Sequence, residues 1–292
     1  MNGRVDVSAE LERGAQRATK MLEERRRHRQ LHQDKPPGVL VAEGDSWLSY
    51  PGTDVLDVLK DGYGWHVHSV ADAGDNLESM AYDASQLRAV ISTFLDLKRL
   101  DETPNALLLS GGGNDFAGAE LAMLLDHRET DHGGINDVIT TELVEGRMVE
   151  AWCNLLGFTR QVAIELFEKP VRTVIHGYAY PVPDGRGFAG GYGLLPGPWL
   201  APSYARKGIG GRSEEGLQKR FEVTKELLDR YNVMLAWLVD QPGMGHVAYA
   251  DLRETLSGPP DYESDWANEL HPTPHGFTEV ARVLHKKLTG AE

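Results

Sequence analysis

The stretch VLVAEGDSWLSYPG, Val39 to Gly52, sets an apolar run directly against Gly-Asp-Ser-Trp and then a Pro-Gly turn. A short β-branched run ending in small polar residues reads as a buried strand that delivers Asp45 and Ser46 to a turn at its carboxyl end. In open α/β sheets, ligands bind in the crevice beyond those strand ends. At this point Ser46 has two readings, a nucleophile or a cap on the next helix.

Working outward, further strand-like runs follow at His66 (HVHSVA), Asn105 (NALLLS), Val171 (VRTVIHGY) and His246 (HVAYAD), each separated from the next by helical segments. That alternation predicts βαβ units and a parallel sheet covered by helices on both faces. The expected fold is a three-layer α/β/α, flavodoxin-like arrangement with a central parallel sheet of about five strands.

Upstream, residues 1–37 read as an appendage. Ser8 to Gln33 carries Leu11, Ala15, Ala18 and Leu22 at helical spacing, includes the basic cluster Arg25 to Arg29, and is closed by Pro36-Pro37. The cluster reads as a solvated face, and the helix as a possible surface for self-association into a homo-oligomer. Residues 38–292 read as one domain with two insertions. Phe116 to Pro170 is expected to hold helices at Ala117 to Asp126 and about Thr141 to Glu168. Pro181 to Arg212 is rich in Gly, Pro and aromatics and has little periodicity, as expected of a lid or substrate wall.

Composition bounds the function. The chain has 292 residues, enough for a sizeable core, and a formal charge of -14, which argues against a nucleic-acid partner because phosphate binding needs a basic surface. A single cysteine, Cys153, excludes an intrachain disulfide and zinc motifs built on paired cysteines. The N-terminus lacks an apolar leader core, and no apolar run approaches the ~18 residues that span a bilayer, so the cytoplasm and no stable membrane insertion are expected.

Three other stretches bear on Ser46: ADAGDNLESM with Gly74, LLLSGGGNDF ending at Asn114-Asp115, and DWANELHPTPHGF with His271. All fall at the same end of the predicted sheet or in a loop able to reach it. Ester hydrolysis needs a hydroxyl nucleophile, a base for its proton, and donors fixed where the carbonyl oxygen becomes an anion. Ser46 can attack and His271 can be the base. The backbone N–H groups of Ser46 and Gly74, with the Asn114 amide, can form the oxyanion hole.

GDSW at Gly44, AGDN around Gly74, GGND at Gly112 and LHPT at Leu270 resemble, in order and approximate spacing, the motif blocks of the GDSL/SGNH hydrolases. The resemblance runs from about Val39 to the C-terminus. It implies a serine esterase or lipase-like hydrolase with a flavodoxin-like fold, acting on acyl esters without metal or organic cofactor. Carried over by position, Ser46 is the nucleophile, Gly74 and Asn114 the oxyanion donors, and His271 the base. Trp47 stands where leucine is more usual.

One departure concerns the acid. The family places it three residues before the histidine, and here that residue is Asn268, which cannot stabilise an imidazolium by charge and can select the wrong tautomer. In a serine protease that exchange costs about 10⁴ in rate. Orientation of His271 by Asn268 or a backbone carbonyl is the first expectation, then Glu269, then Asp265. The expected substrate is a small uncharged ester, short-chain or acetyl. The alternatives are a weak or inactive binding module and an acyltransferase using the same residues.

Other features read as structural. SGGGND lacks dinucleotide-binding spacing. Asp126-His127 and Asp131-His132 read as a polar turn rather than a metal site. His66 and His68 share one face of a strand and read as structural. In the second insertion Tyr192, Trp199 and Tyr204 are candidates to stack on substrate or to pin the loop.

Overall fold

Val39–Gly44 (β1) is buried over its last five residues, and its register explains why. In the computed structural model, which describes residues 12–20, 23, 36–131, 133–190, 195–211 and 213–291, this strand lies inside a five-stranded sheet. His66–Ser69 (β2) pairs along one side of it and Ala106–Ser110 (β3) along the other, both parallel. Arg172–His176 (β4) and Val247–Ala250 (β5) extend the sheet, also parallel, giving the order β2-β1-β3-β4-β5. β3 is fully buried, as its unbroken ALLLS run requires of a strand covered on both faces.

Helices Val55–Tyr63 and Pro274–Thr289 pack together on one face. Their layer is tied to the edge of the sheet where the Trp65 indole donates to His285 Nδ1 at 3.1 Å. Helices Leu77–Tyr82, Ala84–Arg99, Met148–Phe167 and Glu214–Val239 form the opposite layer, where the Trp152 indole donates to the Tyr231 hydroxyl at 3.1 Å. Each helix start is set locally. Asp54 caps Val55–Tyr63 by accepting the Asp57 N–H at 2.9 Å, and Thr273 caps Pro274–Thr289 through Gly276 N–H at 3.2 Å, with Pro274 in the first turn.

The insertions depart from expectation in detail. In place of a helix over Ala117 to Asp126 there is one 3₁₀ turn, Glu120–Met123, followed by a two-stranded ribbon of Leu125–Asp126 and Gly134–Ile135. Tertiary bonds select this form: Gly118 N–H donates to Trp199 O at 2.9 Å and Arg128 N–H to Lys207 O at 2.9 Å. The helix expected from Thr141 to Glu168 is broken by a π turn, Glu142–Arg147, before Met148–Phe167. The second insertion contains a short helix, Ala201–Arg206. Residues 12–20 are helical and exposed throughout. The cluster Arg25 to Arg29 and Tyr192 lie outside the described residues. No described helix is long and apolar enough to cross a membrane.

Candidate active site

β1 ends at Gly44, and the chain turns at once, with Leu48 N–H donating to Asp45 O at 3.0 Å. Ser46 sits on this turn, well before the helix that Asp54 caps, so the cap reading of Ser46 is not the one the fold adopts. Gly44 is needed for the close approach of β3: a Cβ there would lie 2.5 Å from Ser110 O. Asp45 is buried and accepts from Trp47 N–H at 3.0 Å, Ser110 Oγ at 2.9 Å and the Tyr178 hydroxyl. Burial nevertheless pushes its carboxyl up to about 6 against these hydrogen bonds. The aspartate therefore clamps the turn to β3 and β4.

His271 lies in the loop between Asp265 and the final helix. Its Nε2 is 2.8 Å from Ser46 Oγ, and its Nδ1 is 2.9 Å from Asn268 Oδ1. The orientation of the asparagine amide follows from its other partners. Oδ1 also accepts the backbone N–H groups of Leu270 at 3.0 Å and His271 at 2.9 Å, while Nδ2 donates to the Tyr50 hydroxyl at 3.1 Å. With two backbone donors fixing Oδ1, Nδ1 must carry the proton, which leaves Nε2 as the acceptor facing Ser46. This is the tautomer a base requires. Burial holds the imidazole down at about 4, so it is neutral near neutral pH.

Tyr50 was not singled out by sequence reasoning. Its ring stacks on His271 at 4.3 Å between centroids, and its hydroxyl receives the outer edge of the Asn268 amide. The available signal was its position four residues after Ser46 in the opening stretch. Trp47 also does more than fill the place of leucine: its indole donates to Leu270 O at 3.0 Å, binding the serine turn directly to the histidine loop.

The two carboxylates near His271 have other partners. Glu269 is fully buried and accepts from the backbone N–H groups of Gly185, Trp199, Leu200 and Ala201 at 2.6–2.9 Å. It anchors the second insertion, and burial raises its carboxyl despite those donors. Asp265 accepts from Ser257 N–H at 2.8 Å and faces His275.

Asn114 Nδ2 donates to Asp75 O at 2.8 Å, which sets the Gly74 turn beside the asparagine. Gly74 has φ +97, a conformation that favours glycine. Among the described residues, neither Ser46 N–H nor Gly74 N–H has an acceptor. Ser46 and Asn114 line the same cavity of about 40 Å³, walled by Phe116, Leu200, Tyr204 and Leu270. Tyr204 is buried, with its hydroxyl on Thr224 at 2.6 Å, so it is wall rather than lid. Trp199 meets the His271 ring edge-on at 5.4 Å.

No family model matches the chain, and no curated protein matches it in sequence. Solved structures do. A Mycobacterium smegmatis aryl esterase superposes with a TM-score of 0.50 at 12% identity, over 87% of this chain and 100% of the esterase. The chain shares that esterase's fold. Two further structures are a candidate SGNH hydrolase of Slackia heliotrinireducens (TM-score 0.47, 13% identity, 86% and 98% covered) and a carbohydrate acetylesterase of Sinorhizobium meliloti (TM-score 0.46, 13%, 87% and 100%). The sheet places Ser46 beyond the carboxyl end of β1, where the order β2-β1-β3-β4-β5 reverses direction and an open α/β sheet forms its crevice.

Proposed function

We propose that the protein is a serine esterase that cleaves small acyl esters, acetyl esters foremost, through an acyl-Ser46 intermediate. The observation that carries this reading is the chain of contacts Ser46 Oγ to His271 Nε2 and His271 Nδ1 to Asn268 Oδ1, at 2.8 and 2.9 Å. That is hydrogen-bond reach for nucleophile, base and orienting group. The aryl esterase that shares the fold is in keeping with it.

In the proposed reaction, Nε2 takes the Oγ proton as Oγ bonds to the carbonyl carbon. The resulting oxyanion is held by the N–H groups of Ser46 and Gly74 and by Asn114 Nδ2. Collapse breaks the bond to the alcohol oxygen, which leaves with the proton from Nε2. Water then attacks the acyl-serine, giving its proton to Nε2, and Oγ recovers that proton as the acid departs. An alcohol entering in place of water would give acyl transfer with the same residues.

The acyl limit comes from the cavity. At about 40 Å³ it exceeds the ~10–15 Å³ that admits one water, but falls far below the ~150 Å³ that takes benzene. That small volume favours a short acyl group such as acetyl.

Asn268 favours a second reading, a binding module that keeps the pocket without catalysis. Hydrolysis of p-nitrophenyl acetate by wild type and Ser46→Ala separates them. Turnover abolished in a folded Ser46→Ala protein supports the esterase. No turnover by wild type, with ligand binding retained in Ser46→Ala, supports the binding module.

A further inference from the structure

The opposite end of the sheet holds a second group of chemically active side chains. β2 is an edge strand, and His66 and His68 lie on it two residues apart, hence on one face. Glu102 joins them from the turn after helix Ala84–Arg99. Its backbone N–H donates to Leu97 O at 2.9 Å, directly after Asp101 at φ 56. The tight turn thus aims the carboxylate at the strand.

The imidazole centroids of His66 and His68 are 4.5 Å apart, and Glu102 Oε2 is 3.4 Å from His66 Nδ1. One donor atom from each of the three residues lies within 4.8 Å of the others. Glu102 Oε2 and His68 Nε2 are both buried and, among the described residues, without a hydrogen-bond partner. A buried polar atom left unpaired is costly. Two such atoms in one cluster, with a carboxylate oxygen near an imidazole nitrogen but not aligned to it as a hydrogen bond, point to a shared third atom.

We propose that His66, His68 and Glu102 form a binding site for a divalent transition-metal ion, Zn²⁺ foremost. Two imidazole nitrogens and one carboxylate oxygen are an established donor set for that ion, with a fourth position for water. Ligands about 2.1 Å from a tetrahedral zinc stand about 3.4 Å apart, so closure from separations within 4.8 Å needs at most about 1.4 Å of side-chain movement, which exposed His66 can supply. The bound ion would clip edge strand β2 to the turn before β3.

The site is separate from ester chemistry. His66 pairs with Val39 at the start of β1, whereas Ser46 follows its end at Gly44. That strand length is about 16 Å at ~3.3 Å per residue. The inference therefore stands whether or not the esterase reading does.

The test is calorimetric titration of the EDTA-treated full-length protein with ZnCl₂, with Co²⁺ visible absorption as a second readout. Wild type is expected to bind one equivalent that His68→Asn and Glu102→Gln each weaken roughly tenfold or more. The Co²⁺ d–d bands should vanish in the same variants. His66→Ala, at an exposed position, gives the same comparison should His68→Asn fail to fold. Equal binding by wild type and these variants, or no binding by wild type, overturns the proposal. Hydrolysis of p-nitrophenyl acetate should be indifferent to EDTA, and its loss would contradict the separation of the two sites.

Discussion

Asn268 Oδ1 accepts His271 Nδ1 at 2.9 Å while also accepting the backbone N–H groups of Leu270 and His271. An asparagine in the acid's place is harmful where its amide turns a donor toward the ring. Here two backbone donors and the Tyr50 hydroxyl prevent that flip. What the site lacks is the charge that would stabilise the imidazolium, in keeping with an imidazole held at about 4 by burial.

Asn268→Asp supplies that charge. A carboxylate at Nδ1 favours the protonated ring, so the folded-state value of His271 rises from about 4. The free base needed for attack exists above that value, so the acid limb of kcat/KM against pH moves to higher pH in the variant. Plateau activity is expected to rise roughly ten- to a hundredfold, less than the protease comparison because the tautomer is already correct. A pH profile of p-nitrophenyl acetate hydrolysis checks both, and an unshifted limb would remove His271 as the titrating base.

Leu200→Ala opens the acyl cavity. Leu200 is buried and lines it beside Ser46. One methylene in such a pocket is worth about 1–3 kcal/mol, so the ratio of butyrate to acetate kcat/KM should rise about tenfold or more. An unchanged ratio would mean the acyl group binds elsewhere.

Glu269→Ala leaves four backbone N–H donors of the second insertion, that of buried Leu200 among them, without their acceptor. An unpaired buried donor costs about 1–3 kcal/mol, and the less buried donors recover their bonds from water. Thermal unfolding should show Tm lower by roughly 5–10 °C. Because the same loop carries Trp199 and Leu200, KM for p-nitrophenyl acetate should rise as well. A Tm equal to wild type would show that this anchor contributes little.

Glu43 makes stability depend on pH. Its side chain is buried on β1, neither carboxylate oxygen has a hydrogen-bond partner among the described residues, and burial with Asp75 and Asp72 nearby pushes the carboxyl up to about 8. A raised folded-state value gives a contribution fully present below about 4.5 and lost as pH rises to about 8. Glu43→Gln, neutral throughout, should flatten the decline by an amount on the order of 3 kcal/mol between acid and pH 7. Denaturant unfolding at several pH values measures it, and parallel curves for the two proteins would exclude Glu43 as the source.

The strands were legible because β1 and β3 are covered on both faces and so read as unbroken apolar runs. The ribbon of Leu125–Asp126 and Gly134–Ile135 was not, since two-residue strands carry no period and their form depends on distant partners such as Lys207. At the site, Ser46, Asn114 and His271 stood out by chemistry and motif order. The Trp47 bond to Leu270 O joins residues 223 apart in sequence, and nothing local announces it. Glu269 sits beside His271 in the chain yet faces the second insertion, because consecutive loop residues need not share a direction. His66 and His68 were placed on one face by strand period alone, while Glu102, much further along, came to them only through the fold.

The most direct test of the central claim is covalent. Intact-mass and peptide mass spectrometry after incubation with a fluorophosphonate should find one adduct, on Ser46, formed by wild type and absent from Ser46→Ala and from a folded His271→Ala protein. Labelling elsewhere, or none in wild type, would contradict an activated Ser46 nucleophile.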